Sequence, residues 1–260
     1  MTINHGDPVW MDLSTDDIEA AATFYRELLG WEFQDQGEEF GGYRIITRDG
    51  KPVGGAMSSL MGPDGPTEEP QYPTAWTVYL KVDDLDAALE ATTAHGGTVV
   101  VPAMEVGELG RMAVIFDPAG AGLGLWEVGS FEGFVRDNGP GFPAWFESMT
   151  RDFDAAEAFY REVAGWQIGY IGEDGQPADG PSGDIRYGAT SAAGLCEADS
   201  FLPPGVPSYW RAYVVVEDVD ASVEKLRELG GTVLDGPVDT PFGRIATVAD
   251  PQGGSFQISS

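Results

Sequence analysis

The sequence predicts an α+β fold in which a βαβββ unit of about 65 residues occurs four times. The motif Phe-Tyr-Arg-Glu-x-x-Gly-Trp runs from Phe24 to Trp31 and returns 135 residues later, from Phe159 to Trp166. Within each half, a fainter repeat at a spacing of 66 or 67 residues relates the ends of one helix to those of the next. The chain is therefore a duplicated module whose two parts are themselves related.

The first half shows the elements of the unit in order. Alternating apolar residues at 9–13 predict a strand, and Ser-Thr-Asp-Asp at 14–17 is a cap for a helix over 18–29 with one apolar face. Gly30 and Gly97 are each expected to end their helix in the left-handed conformation. The other elements predicted for this half are a helix over 85–95 and strands at 43–47, 53–57, 112–117 and 122–128.

The repeat also predicts the domain organisation. Residues 1–130 form a first module and residues 142–260 a second one. Between them, 131–141 is rich in glycine and is expected to be a linker. Whether each site uses both units of one half, or exchanges units between the halves, is left open by the sequence.

Charge excludes several classes of partner. The chain has 43 acidic and 14 basic residues, a formal net charge of −29. Because nucleic acids and anionic membranes bind basic surfaces, neither is expected as a partner.

A single cysteine excludes an internal disulfide, and neither a secretory signal nor an apolar membrane-spanning run is visible. We therefore expect a cytoplasmic protein.

A second shared motif completes the pattern. Asp-Pro-x-Gly precedes the last strand of each half, at Asp117 and at Asp250. With the duplicated βαβββ unit, these motifs resemble the vicinal oxygen chelate superfamily of glyoxalases, bleomycin resistance proteins and extradiol dioxygenases. Along nearly its whole length the chain is similar to the tandem glyoxalase-like proteins of actinobacteria. The resemblance implies a curved mixed sheet of eight strands in each half, folded around a cup.

The resemblance also implies where a metal would bind. In metal-dependent members, two strands supply His or Gln ligands and the last strand supplies Glu. The corresponding positions here are Trp10, Thr77 and Gly124 in the first half, and Trp145, Arg211 and Gln257 in the second. None of the six is a histidine or a carboxylate, which divalent metals prefer as ligands. We therefore expect that the metal site is lost in both halves and that no other cofactor is bound.

Strand alternation predicts which side chains face each cup, because residues i and i+2 share a face. The expected ligand-binding residues are Trp10, Asp12, Thr77, Tyr79, Trp126, Trp145, Glu147, Arg211, Tyr213 and Gln257. Tyr43 and Arg186, on third strands, are also candidates, but a register shift of one residue would turn them to the other face.

Three functions are compatible with this lining. The favoured one is binding of a small organic molecule against aromatic walls, with a planar or cationic ligand suited to the first half and an anionic group drawn to Arg211 in the second. The alternative is a metal-independent lyase, isomerase or hydroxylase-type enzyme with Asp12 or Glu147 as general base. The third is a structural protein with filled cups, in which Glu147 and Arg211 form an ion pair. The duplication makes a monomer self-sufficient and does not exclude a homodimer.

Other repeated or reactive residues are expected to be structural. Arg111 and Arg244 each follow a glycine that opens a strand, where an arginine binds backbone or carboxylate oxygens. Cys196 has no histidine near it in the sequence and is expected in the core. The two histidines, His5 and His95, lack partners at metal-ligand spacing and are expected to have surface or structural roles.

Overall fold

A computed structural model describes residues 3–62, 65–135, 137–181 and 185–260. The elements of the first half are β1 (Pro8–Thr15), α1 (Ile18–Leu29), β2 (Glu32–Asp35), β3 (Arg44–Arg48), β4 (Lys51–Ser58), β5 (Met61–Gly62), β6 (Gly65–Pro66), β7 (Ala75–Val82), α2 (Leu85–Ala94), β8 (Thr98–Glu105), β9 (Gly110–Phe116) and β10 (Gly122–Val128). The elements of the second half are β11 (Pro143–Thr150), α3 (Phe153–Ala164), β12 (Gly169–Tyr170), β13 (Tyr187–Ala189), β14 (Gly194–Glu197), β15 (Tyr209–Val215), α4 (Val219–Glu228), β16 (Thr232–Thr240), β17 (Gly243–Ala249) and β18 (Ser255–Ser259).

Each half contributes one mixed sheet of eight strands. The strand order is β2-β3-β4-β1-β7-β10-β9-β8 in the first half and β12-β13-β14-β11-β15-β18-β17-β16 in the second. β1 runs parallel to β4, and β11 runs parallel to β14. The two orders match strand for strand, and the predicted α+β fold of four βαβββ units is confirmed. The short β5–β6 hairpin is an addition to the first half.

The compact units do not coincide with the halves. One unit comprises the chain up to Val9, Val78–Gly133 and Trp145–Arg211, and contains the packed helices α2 and α3. The other comprises Trp10–Thr77, Phe134–Ala144 and Ala212–Ser260, and contains α1 and α4. Each unit therefore takes one βαβββ segment from each half, although each sheet takes its strands from one half only.

Helix ends follow local sequence. The Asp17 side chain accepts a hydrogen bond from Ala20 N, and Gly30 ends α1 with a φ of 70°. The prediction for Gly97 was wrong, because Gly96 takes the left-handed conformation (φ 85°). Gly97 serves close packing instead, since a β-carbon there would collide with the Phe159 ring. In the part of the chain that the structure describes, no helix has the length and apolar character needed to cross a bilayer.

A series of buried hydrogen bonds links three repeated motifs in the unit that holds α1. Trp76 Nε1 donates to the Tyr25 hydroxyl over 3.0 Å, and that hydroxyl donates to Asp250 Oδ2 over 2.8 Å. The other oxygen of Asp250 accepts the backbone N–H groups of Gln252 and Gly254. The Phe-Tyr and Asp-Pro-x-Gly motifs thus bind each other. Burial raises the pKa of Asp250, and burial with the Asp250 charge raises that of Tyr25.

The other unit contains the same chain of bonds. Trp210 Nε1 donates to the Tyr160 hydroxyl over 2.9 Å, which donates to Asp117 Oδ2 over 2.8 Å. Burial raises the pKa of both Asp117 and Tyr160. All three side chains are buried, so these repeated residues stabilise the interior of their own unit and are not exposed to a ligand.

The two Gly-Arg motifs also have the expected structural role. Arg111 donates to both carboxylate oxygens of Asp86 in the first turn of α2. Arg244 does the same with Asp220 in α4, over 2.7 and 2.8 Å. Each arginine therefore links a strand to the neighbouring helix through a bidentate contact with a carboxylate.

Candidate functional site

The first candidate site is built on β1 around a buried acid. Trp10 and Asp12 are two residues apart, so they share a face of the strand, and both are buried. The Tyr43 hydroxyl donates to Asp12 Oδ1 over 2.5 Å. The indole N–H of Trp10 lies 2.8 Å from both Asp12 Oδ1 and the Tyr43 oxygen. On its other side, Trp10 stacks with Phe134. The acid is therefore held in one orientation by two aromatic donors.

A glycine on the adjoining strand leaves room for this cluster. Gly55 on β4 is the register partner of Asp12. A β-carbon at Gly55 would collide with the Tyr43 hydroxyl and would lie 2.5 Å from Asp12 Oδ1. Any larger residue would therefore displace the tyrosine from the carboxylate.

The second candidate site repeats the arrangement on β11, with a cation added. Glu147 is buried, and its Oε2 accepts hydrogen bonds from Arg211 Nε at 3.0 Å and Nη2 at 2.5 Å. The side chains are 5% and 15% exposed, so the ion pair is largely removed from water. Tyr187 hydrogen-bonds to Glu147 and to Trp145; burial first, then the Glu147 charge, raise its pKa well above the usual value. The expected ion pair is therefore present, within a Trp–acid–Tyr cluster like that of the first half.

The two sites correspond position by position. Gly194 is the register partner of Glu147, as Gly55 is of Asp12, and a β-carbon there would again collide with a tyrosine hydroxyl and the acid. The tyrosine of the second site is Tyr187, which the sequence analysis missed in favour of its neighbour Arg186. Arg186 instead pairs with Glu197 and Asp154 and lies over the Phe153 ring. The one-residue difference in register turned the prediction to the wrong side chain.

Cys196 lies next to the second site. It is the register partner of Met149, which follows Glu147 on the same face of β11. Met149, Cys196 and Ala198 form a small buried cluster, against which Tyr187, Leu202 and Tyr209 pack. Burial, then the Glu147 charge, raise the pKa of the thiol to about 12. It is therefore a protonated core side chain at neutral pH, as expected.

Two more predicted ligand-binding residues lie in the unit that holds α2. Tyr79 on β7 is buried and is the register partner of Gly124 on β10. A β-carbon at Gly124 would collide with the Tyr79 ring, so the ring fills the place of a side chain there. Trp126 is buried, and its Nε1 donates to the backbone oxygen of Phe131 over 3.3 Å. Its ring also meets the Phe131 ring edge to face.

The remaining predicted residues belong to the unit that holds α1. Tyr213 on β15 and Gln257 on β18 are register partners, and both are buried. The Gln257 amide exchanges hydrogen bonds with Thr247 Oγ1 over 2.8 and 3.1 Å. Thr77 is half-buried on β7.

The positions at which relatives bind a metal do not fit a divalent ion. In the first half, an indole N–H donor stands at the first position and Gly124 at the third, against the Tyr79 ring. In the second half, Arg211 is a cation paired with Glu147, and the Gln257 amide bonds to Thr247. Within the described ranges, no group of three or more His, Cys, Asp or Glu side chains could hold a metal ion. The side chains at these positions lack the imidazole and carboxylate donors that divalent metals prefer.

The chemistry open to the two clusters differs. In the first, the Asp12 carboxylate accepts hydrogen bonds from neutral donors, which stabilise its charge without cancelling it. In the second, Arg211 balances the charge of Glu147. The position equivalent to Arg211 in the first half is Thr77, which carries no charge. The first cluster therefore suits a cationic or hydrogen-bond-donating group, and the second a group that can compete for a guanidinium.

Two family models match the chain in tandem. The model described as "Glyoxalase/Bleomycin resistance protein/Dioxygenase superfamily" matches residues 3–125. A model described as "Glyoxalase-like domain" matches residues 145–259. Both matches fall where the sequence repeat places a module.

Named relatives resemble the chain over most of its length. It is 36% identical over 256 residues to the "Putative glyoxylase CFP32" of Mycobacterium tuberculosis, with 97% of this chain and 94% of the relative covered. It is 37% identical over 262 residues to the "Anthracycline biosynthesis protein DnrV" of Streptomyces peucetius, with 97% and 92% covered.

Solved structures share the fold at low sequence identity. The 2,3-dioxygenase LapB from Pseudomonas sp. KL28 aligns with a TM-score of 0.64 and 16% identity, covering 100% of this chain and 93% of that one. The Mn(II)-bound glyoxalase from Novosphingobium aromaticivorans aligns with a TM-score of 0.61 and 15% identity, covering 98% and 82%.

Proposed function

The chain belongs to the glyoxalase/bleomycin resistance protein/dioxygenase superfamily, and we propose that it is a metal-independent member that binds a small, planar aromatic molecule. The observation that carries the proposal is the Trp–acid–Tyr cluster, built twice on equivalent strands. In each copy a glycine opposite the acid leaves room for the tyrosine. Aromatic walls with one oriented polar group are typical of small-molecule sites.

The polar groups would orient the ligand. Asp12 offers an anion framed by Trp10 and Tyr43, which attracts a cationic or donor group through charge and cation–π contact. Arg211 offers the second half a cation for a phenolate or carboxylate, because a guanidinium binds planar anions well. The name of the relative DnrV places that protein in anthracycline biosynthesis, and anthracyclines contain a planar fused-ring system. This supports an aromatic polycycle as the class of ligand.

A binding role is favoured over general-base catalysis by the same contacts. A general base needs a carboxylate oxygen that reaches the substrate proton. The Asp12 oxygen Oδ1 already accepts two short hydrogen bonds, and Glu147 Oε2 accepts two from Arg211. These bonds support an orienting role for the acids over proton abstraction.

Native mass spectrometry of the protein purified without chelator tests the proposal first. An organic adduct of defined mass would support it and would identify the ligand chemistry. A stoichiometric divalent ion would contradict the metal-independent part. If the mass is that of the bare chain, titration with the hydroxyanthraquinone alizarin follows, read by quenching of tryptophan fluorescence.

Matched variants then locate the binding. Asp12→Asn keeps the shape of the side chain, removes its charge and is expected to weaken alizarin binding about tenfold. Glu147→Gln frees Arg211 for a phenolate of alizarin and is expected to strengthen binding. Asp16→Asn, at an exposed residue outside both clusters, is the control. Equal affinity in all three variants would refute the polar roles, and conversion of alizarin to a new product would favour the enzyme alternative.

A further inference from the structure

A surface loop beside the second site is fastened by one arginine. Arg151 directly follows β11, and its guanidinium donates to the backbone oxygens of Val206 and Pro203, each over 2.8 Å. It also donates to Asp199 Oδ1 over 2.8 Å, and the backbone oxygen of Leu202 lies 3.3 Å away. One side chain therefore holds the loop 199–206 at both ends and in the middle.

The loop leads directly to the acid of the second site. Leu202 packs on the cluster of Met149, Cys196 and Ala198, against which Tyr187 also packs. Tyr187 in turn hydrogen-bonds to Glu147. Arg151 is thus connected to Glu147 through the loop, the buried cluster and Tyr187.

In the first half, the equivalent position cannot supply these hydrogen bonds. The position equivalent to Arg151, 135 residues earlier, is Asp16, which is exposed and has no N–H donor in its side chain. The corresponding loop is held by backbone bonds, such as those from Ser59 N to Thr15 O and from Gln71 N to Ser59 O. The two candidate sites therefore differ in how their neighbouring loop is held, as well as in charge.

We infer that Arg151 is a positioning residue of the second site: by fastening the loop 199–206 it keeps Leu202 and Tyr187 packed beside Glu147 and closes this side of the site. The inference rests on the proposed function for the importance of Glu147 to a ligand. The fastening itself is independent of any ligand, so it can be tested without one.

Cys196 is a built-in reporter of this loop. It is the single cysteine of the chain and is buried in the cluster on which Leu202 packs. With iodoacetamide as the probe and intact mass as the readout, alkylation of the native chain is expected to be slow. Arg151→Ala removes several hydrogen bonds to the loop and is expected to raise the alkylation rate about tenfold or more, through local opening. Arg151→Lys, which restores the charge and some donors, should give an intermediate rate.

The pH profile separates positioning from general loosening. Below the pKa of the thiol, alkylation follows the thiolate, so the rate should rise about tenfold per pH unit through the alkaline range in the native chain. In Arg151→Ala the profile should level off at lower pH, since both burial and the nearby Glu147 charge that raise the thiol pKa are disturbed. Arg161→Ala, at an exposed arginine of α3 that pairs with its neighbour Glu162, is the control and should match the native profile.

Two results would overturn the inference: a native alkylation rate in folded Arg151→Ala, or an increase that the Arg161→Ala control reproduces. Hydrogen exchange on the same samples guards against global unfolding. It should increase in 199–206 but stay unchanged in α3, and equal increases in both would also contradict a local fastening. Failure here would leave alizarin binding and its response to Glu147→Gln untouched, so the two proposals fail separately.

Discussion

The Tyr43 hydroxyl lies 2.5 Å from Asp12 Oδ1, and Trp10 Nε1 lies 2.8 Å from the same oxygen. A buried carboxylate is costly unless its oxygens accept hydrogen bonds, and here two aromatic side chains supply them. The same two side chains supply both the apolar surface of a ligand site and the hydrogen-bond donors that orient its acid. The second half reproduces the cluster with Tyr187, Trp145 and Glu147.

Removing the Tyr43 hydroxyl should therefore loosen the acid without unfolding the chain. We expect Tyr43→Phe to lower the free energy of unfolding by about 1–2 kcal/mol, because Asp12 loses a charge-assisted hydrogen bond while Trp10 remains. Urea unfolding followed by circular dichroism measures the change. Tyr72→Phe, at a tyrosine that is 49% exposed, is the matched control and should have no measurable effect. A loss no larger than that of the control would show that the hydroxyl contributes nothing.

The glycines opposite the two acids should not tolerate a methyl group. In Gly55→Ala and Gly194→Ala the new β-carbon meets a tyrosine hydroxyl and a carboxylate. We expect each variant to lose about 1–3 kcal/mol of stability through overpacking. Gly180→Ala is the control, since a β-carbon there meets nothing within 4 Å. Native stability in Gly55→Ala or Gly194→Ala would mean that the cluster can shift, and an alizarin titration would show whether the ligand site shifts with it.

Truncating the cation of the second site should be more damaging than neutralising the acid. Arg211→Met leaves Glu147 buried without its cation, which typically costs about 3–5 kcal/mol. Glu147→Gln leaves the unpaired charge on Arg211, which is the more exposed of the two side chains, and should cost less; the double variant leaves no charge in the site and should cost least. A double-mutant cycle from urea unfolding measures the coupling. Additive effects of the two changes would contradict a buried, coupled pair.

The fold was predictable because local signals and the repeat agree. Strand alternation predicts the strands, acidic caps predict where the helices begin, and Gly30 predicts where α1 ends. The 135-residue spacing transfers these predictions to the second half. The partners of the acids were harder to predict. Tyr43 and Tyr187 come from third strands, where a shift of one residue exchanges Tyr187 for Arg186. The role of Arg151 could not be predicted from the sequence, because it donates to backbone oxygens of a loop that carries no motif.

The pairing of βαβββ segments from different halves was also beyond the sequence. The motifs that create it, Tyr25 with Asp250 and Tyr160 with Asp117, are visible as repeats. Their spacing fits equally well with pairing inside one half, since every half contains one tyrosine and one aspartate of this kind. Long-range contacts determine which of the two arrangements forms, and the spacing of the repeats carries no information about those contacts.

The buried Asp117 should make stability depend on pH in an unusual direction. Its pKa is raised in the folded chain, chiefly by burial, so its contribution is fully present below the ordinary value of 3.8 and is lost as pH rises through the raised value. The free energy of unfolding of the native chain, relative to Asp117→Asn, should therefore fall as pH rises from about 4 towards neutrality. Asp137→Asn is the control, because Lys51 lowers the pKa of Asp137; its contribution is complete above the ordinary value of 3.8 and should stay level in this range. Urea unfolding of the three proteins across this range measures both differences. If the difference for Asp117 rose with pH, the carboxylate would be better stabilised in its charged form by Tyr160 and the turn N–H groups than its burial implies.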